Sequence, residues 1–341
     1  MDNKPQSYKY ISHGTDGCII RGHLECSDKD INQYYMKHKN KYPIMKIRDQ
    51  ISDLYIVDVM HILNKIDSKQ QYFIYEHLME GHKYIYMMDC EVLGYNSDLC
   101  NLEIEKPFGY IMADGGIDLD TYFRDITNIN IHTMFNILTK IIKLLQILQK
   151  YKIIHKDLKL QNILIDNNQC IRIIDFNLSF VVNKKLEILD HMHSYAKPIT
   201  NEDVIYPVHP PFLNVLYNKD MTDEEHKYYY KISYDYYYSR LKLSNNDYYK
   251  TLLDMAHNYK SDYLALINKY LFNIDIFSIG YCFLHYCEKY IDKLKEDKLY
   301  EPVCELLRGM ANVLPDYQYN LKDTILRINS IYGYDVLSLY V

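Results

Sequence analysis

Residues 153–165, IIHKDLKLQNILI, set three charged side chains and two amides between runs of isoleucine and leucine. A buried strand or helix has no use for such groups, because a charge moved into an apolar interior is costly unless it is paired and hydrogen-bonded. The pattern predicts a loop held by apolar residues at both ends. Five residues separate Asp157 from Asn162, close enough for both side chains to point into one cleft.

The frame around that loop can be read from the rest of the chain. Its 341 residues allow one large domain or two lobes sharing a cleft, and an apolar content of 48% supports a sizeable core. Residues 8–47 read as short strands and turns. Residues 51–66 place Ile51, Leu54, Tyr55, Val59, Ile62, Leu63 and Ile66 at helical spacing. KYIYMMDC and FGYIM are strand-like and lead to a Gly-containing connector, ADGGIDL. Beyond it, residues 133–151 predict a well-buried helix, and NILID and CIRIID two short strands joined by a tight NNQ turn. Residues 273–287 predict a central helix, and residues 303–329 a last helical stretch. The expectation is an α+β chain. A small β-rich lobe with one main helix (8–113) precedes a larger, mainly helical lobe (114–341), and the latter carries a Tyr-rich insertion at about 213–272.

Charge and composition exclude some functions. A net charge of -6 argues against DNA or RNA as the partner, since non-specific binding needs a basic surface. No apolar run approaches the ~18 residues of a membrane span, and the polar N-terminus does not read as a signal peptide. Cysteines 18, 26, 90, 100, 170, 282, 287 and 304 contain no C-x-x-C pair and no zinc-type His spacing. Reduced thiols and an intracellular, cytoplasmic location are expected. The use of 38 Tyr and no Trp looks like the codon usage of an AT-rich genome.

The opening segment, His155-Lys156-Asp157-Leu158-Lys159-Leu160-Gln161-Asn162, resembles the H-R-D-L-K-x-x-N catalytic loop of eukaryotic-type protein kinases. The style of the chain is that of kinases from large DNA viruses or AT-rich protists, which would place it in a host cytoplasm or a virion. The resemblance implies a bilobal kinase fold that binds ATP and Mg2+ and acts on a protein substrate. Asp157 would accept the proton of the substrate hydroxyl, and Lys159 would steady the γ-phosphate. Asn162 would give an oxygen to the metal, a hard cation that prefers oxygen ligands. Asp175-Phe176-Asn177 resembles D-F-G, with Asp175 as the second metal ligand and Asn in place of Gly. Asn tolerates left-handed backbone better than most residues.

In the small lobe, SHGTDGCI (12–19) resembles the Gly-rich nucleotide loop. There Ser12 replaces the first Gly, Gly14 and Gly17 keep the later two, and Ile19 stands at the Val position. PIMK (43–46) resembles V-A-I-K, so Lys46 would meet the α- and β-phosphates. No Glu follows it between residues 26 and 75, and the helix offers Asp58 or Asp53 as its partner, Asp58 sharing a face with Ile62. FGYIMADGGIDL (108–119) resembles the hinge. Met112 would gate the adenine pocket, main-chain groups of Ala113 and Asp114 would meet the adenine edge, and Asp118 would reach the ribose. DIFSIG (275–280) resembles D-x-W-S-x-G, whose Asp275 would bind catalytic-loop amides. YPVHPPF (206–212) lacks the usual Glu, and LPDYQYN (314–320) lacks its Arg partner; removing both ends of a buried pair strands neither charge.

Lys159 is the Ser/Thr-type feature, so the expected activity is a serine/threonine kinase. Two other functions fit parts of the pattern: a pseudokinase acting as a binding or scaffold module, and a small-molecule phosphotransferase. The first would lose Lys46, Asp157, Asn162 or Asp175, and all four are present. The second generally lacks D-x-W-S-x-G and the Leu158-Lys159 pair. Lys156 stands where an Arg often grips a phosphorylated activation segment. It has no bidentate fork, so activity is expected to depend little on phosphorylation at Ser179, Ser194 or Thr200.

Overall fold

A computed structural model describes residues 8–14, 17–48, 54–75, 78–80, 85–87, 90–93, 95, 104, 107–125, 127, 129–182, 222–225, 227, 231, 250, 254–255, 257–258, 265, 269–312 and 316–338. The chain divides into two compact units. One comprises Met1–Gly116 and Leu164–Asn177, the other Ile117–Ile163 and Leu178–Val341. The division is therefore not one cut in the chain. Residues 164–177, which the sequence reading puts in the larger lobe, join the first unit because β12 (Ile171–Ile174) pairs in parallel with β4 (Phe73–Ile74).

The first unit is built on an antiparallel sheet. Its strands are β1 (Lys9–Gly14), β2 (Gly17–Arg21), β3 (Ile44–Arg48), β7 (Cys90–Glu91) and β8 (Phe108–Met112), in the order β1-β2-β3-β8-β7. Alternation along β2 buries Cys18 and Ile20 on one face, where they join Tyr42, Met45, Ile47 and Ile111. Helix α1 (Lys29–His38) completes that core, although the sequence reading has only strands and turns over residues 8–47. The signals for it are local: Asp28 caps the Asp30 and Ile31 amides, and Ile31, Tyr34 and Tyr35 recur at helical spacing. Tyr35 is fully buried, and its hydroxyl donates to the Gly109 carbonyl at 2.9 Å. Cys18 and Cys26, both in this core, each take part in a disulfide, which corrects the expectation of reduced thiols at these two positions, whereas Cys170, Cys282, Cys287 and Cys304 are free.

Helix α2 (Leu54–Ile66) buries Val59, Met60 and Leu63. The chain then turns around Asp67, whose carboxylate accepts the amides of Gln71, Tyr72 and Phe73 at 2.7–2.9 Å and so delivers the chain into β4. The short strands β5 (Leu78–Glu80) and β6 (Ile85–Met87) form an antiparallel pair. β11 (Ile163–Ile165) leads to β12 through the expected turn, in which Asp166 accepts the Asn168 and Cys170 amides and an ion pair from Arg172.

The second unit is mainly helical. After β9 (Ile117–Asp118) and α3 (Leu119–Arg124), helix α4 (Ile131–Lys150) starts at an Asn130 cap and buries eleven of its twenty residues. By length and composition alone α4 is also long and apolar enough to cross a membrane, but its buried residues are those of a core helix. It packs against α5 (Ile274–Lys289), α8 (Leu321–Tyr332) and β10 (Ile153–Ile154), and β10 pairs with β13 (Phe180–Val181). α6 (Ile291–Leu294) links α5 to α7 (Tyr300–Met310). The last helical stretch expected over 303–329 consists of two helices, α7 and α8, and Asn320 and Asp323 form the capping box that starts the second. Gly280 lets α5 approach α7: a Cβ there would lie 2.5 Å from the Met310 side chain. The YPVHPPF segment and most of the 213–272 stretch lie outside the described residues.

Candidate active site

In the second unit, β10 and a 3-10 turn (Leu160–Asn162) carry the loop of the opening segment. Its apolar members are anchors: Ile153, Ile154, Leu158, Leu160 and Ile163 are all buried. From below, Asp275 on α5 accepts the backbone amides of His155 and Lys156, both at 2.9 Å, as the resemblance implies. Burial raises the Asp275 carboxyl above its ordinary value, with the nearby His155 and these two amides pulling the other way. The bonds also hold Lys156 in left-handed backbone at φ 69°, a conformation that costs a non-glycine residue roughly 1–2 kcal/mol.

That support turns three polar side chains toward one another. Lys159 Nζ lies 2.9 Å from Asp157 Oδ2, and Asn162 Nδ2 donates to the same oxygen at 3.0 Å and to the Asp157 carbonyl at 2.8 Å. With Nδ2 directed at Asp157, Asn162 keeps Oδ1 as an acceptor, a hard oxygen donor of the kind Mg2+ takes. His155 is fully buried, and its Nδ1 accepts the Asp157 amide at 3.3 Å. Gln161 joins a neighbouring network with Asp120, Tyr286 and Arg124. Burial raises the Asp120 carboxyl, but the bonds from Tyr286 and Arg124 outweigh it and leave the group below its ordinary value.

In the first unit, Lys46 on β3 pairs with Asp175 at 3.2 Å. This differs from the expected partnership with Asp58. Asp58 is exposed on α2, and Asp53 lies outside the described residues. The Asp175 backbone is left-handed at φ 64°, and Phe176 is buried edge-on against Phe73. Asn177 Oδ1 accepts a hydrogen bond from Arg48 at 3.1 Å.

The β1-β2 hairpin places Ser12 opposite Ile19 and Gly14 opposite Gly17, and Ile19 in turn sits opposite Lys46. Gly17 is required sterically. Its φ is 147°, and a Cβ would fall 2.0 Å from the Ile47 carbonyl oxygen.

At the hinge, Met112 is half-buried opposite Ile44. Asp114 pairs with Arg21 at 2.6 Å, and Ala113 N–H donates to Gln70 Oε1 at 3.0 Å. This amide, expected to meet an adenine edge, is thus committed to a side chain that the sequence reading did not single out. Gln70 is 2% exposed and left-handed at φ 52°, and its Nε2 donates to the Tyr75 carbonyl at 2.8 Å. No local pattern marks it, since its partners lie just past the ends of β4 and β8. Asp118, in the second unit, caps α3 through the Thr121 amide and hydroxyl, both at 2.8 Å, so its carboxylate already has a structural task.

Among the described residues no cluster of three His, Cys, Asp or Glu side chains could hold a metal. Each unit has its own oxygen donor of the kind Mg2+ takes, Asn162 Oδ1 in the second and the Asp175 carboxylate in the first. Ser179 is fully buried and donates to the His155 carbonyl at 3.1 Å, which removes it as an accessible phosphorylation site. Ser194 and Thr200 lie outside the described residues. A pocket of about 990 Å³ in the second unit, lined by residues such as His132, Asp297, Arg308 and Arg327, includes none of the predicted site residues.

A β-rich N-terminal region, a helical C-terminal region and a loop presenting Asp157, Lys159 and Asn162 define an α+β chain consistent with a bilobal kinase-like fold. Residues 110–198 match the protein kinase domain family, and the match supports a member of the protein kinase superfamily with kinase-type phosphotransfer as its function. A search of the curated proteins finds no match.

Proposed function

We propose that the chain is an ATP- and Mg2+-dependent protein kinase that phosphorylates Ser or Thr hydroxyls of protein substrates. One observation supports this reading above the others: Lys159 and Asn162 both bond Asp157 Oδ2, on a loop held from below by Asp275. Phosphoryl transfer needs an aligned hydroxyl and compensation of phosphate charge more than covalent help. Mg2+ would supply that compensation when bound, and Asn162 and Asp175 are the residues that would hold it.

Asp157 accepts the hydrogen bond of the substrate hydroxyl. As the oxygen–phosphorus bond forms and the bond to the ADP oxygen breaks, the hydroxyl proton passes to the carboxylate. Lys159 holds the Asp157 carboxylate in place and steadies the transferring group. Lys46 serves the α- and β-phosphates, and the β1-β2 hairpin, through Ser12, Gly14, Gly17 and Ile19, covers the nucleotide. Met112, Ala113, Asp114 and Asp118 are assigned to the adenosine end.

The test is Mg2+-dependent transfer from ATP to a Ser/Thr protein substrate by wild type and by Asp157→Asn. Loss of the base is expected to lower the rate by about 10²–10⁴-fold. Equal background rates in both proteins would end the enzyme reading. A second reading, a binding module without turnover, is favoured by one observation: the Ala113 amide is committed to Gln70. It predicts no nucleotide-dependent signal in either protein.

A further inference from the structure

The departure of Asn177 from the family's glycine has a counterpart on β3. Lys46 and Arg48 are two residues apart on that strand and therefore share a face. Asp175 and Asn177 are likewise two residues apart, and the contacts match in register: Lys46 to Asp175 at 3.2 Å, Arg48 to Asn177 at 3.1 Å. Between them Phe176 is 1% exposed and set edge-on to Phe73 at 6.1 Å. Arg48 is itself 6% exposed, with its guanidinium over the Tyr110 ring at 4.4 Å. Its reach to Asn177 is thus fixed by packing and not by a loose surface rotamer. Gly17 lies over the same strand position, where a Cβ would come within 2.9 Å of the Arg48 Cβ.

We propose that Arg48 and Asn177 are a positioning pair that locks the Asp175-Phe176-Asn177 turn onto β3, so that the Asp175 carboxylate is held in one orientation before metal or nucleotide arrives. A glycine side chain at 177 could not accept from Arg48, and the left-handed backbone of Asp175 would lose this tie while keeping Lys46 and the Phe176 packing. Both residues act through Asp175 and touch no reacting atom. The metal role of Asp175 rests on the function proposed above, whereas the locking does not.

The experiment is native-state amide exchange on the full chain without metal or nucleotide, read at Phe176 and Asn177. Asn177→Ala is used, not glycine, so that no backbone freedom is added. Loss of a hydrogen bond from a charged donor is expected to speed exchange about tenfold in Asn177→Ala and in Arg48→Gln, with the double variant no faster than either. Asn177→Asp, which keeps the acceptor, should exchange as slowly as wild type. If wild type binds Mg-ATP, Asn177→Ala should raise the Mg2+ concentration for half-maximal nucleotide binding about tenfold and leave metal-free nucleotide binding unchanged. Wild-type exchange rates in Asn177→Ala, single effects that multiply in the double variant, or an unshifted Mg2+ requirement would each overturn the lock. Absence of Mg-ATP binding in wild type would instead overturn the kinase reading, and the exchange pattern would still decide the pair.

Discussion

Lys156 is the residue whose replacement gives the least intuitive result. It is 1% exposed, and burial holds its ammonium down to about 8 from the ordinary 10.5, with the charge of Asp157 acting in the opposite direction. At about 1.36 kcal/mol per tenfold change in acidity, that displacement corresponds to roughly 3 kcal/mol of cost for carrying the charge in the folded state. The sign follows from proton counting. Between pH 8 and 10.5 the unfolded chain binds more protons at this site than the folded one, so stability from this group rises with pH across that window. Below pH 8 both states are protonated and the full cost is present.

Lys156→Met is therefore expected to stabilise the protein by up to about 3 kcal/mol at pH 7, and the gain should shrink toward pH 10.5. Backbone strain does not confound the comparison, because methionine at φ 69° carries the same penalty as lysine. Urea unfolding of both proteins at pH 7, 8.5 and 10 measures it, and the difference between them removes titrations common to both. A destabilised Lys156→Met protein at pH 7, or a stability gap that does not change with pH, would refute the argument.

Other replacements test the remaining supports. Asp275→Ala strands the two buried amides of His155 and Lys156 and should cost roughly 2–5 kcal/mol in urea unfolding, whereas Asp275→Asn, which keeps one acceptor oxygen, should cost less. Gly116→Ala, at φ 98° with its Cβ 2.2 Å from the Ile165 carbonyl oxygen, should lower the thermal midpoint far more than Gly333→Ala. The latter has φ 75° and no neighbour within 4 Å, so it should cost only about 1–2 kcal/mol. Gln70→Leu removes the acceptor of the Ala113 amide and should tighten ATP binding if that amide serves the adenine edge; calorimetric titration with Mg-ATP would show it.

What the sequence determined by itself is local. The order of charged and apolar residues in 153–165 dictated an anchored loop, since spacing within one short stretch governs which groups can share a side. Periodicity marked α2, α4 and α5 within a few residues, and the turn between β11 and β12 followed from its composition. Even α1 had its cap and its spacing in plain view. The pairings that cross long stretches of chain were not legible in this way. Lys46 lies 129 residues from Asp175, and Arg48 is as far from Asn177; Gln70 meets Ala113 across 43 residues. Strand register, the parallel match of β4 with β12 and the burial of Arg48 chose those partners. A carboxylate such as Asp58, close in sequence and of the right charge, stayed in solvent because its helix turns it outward. Tertiary structure alone settles such choices, since a hydrogen bond depends on where the backbone carries each end and not on how many residues lie between them.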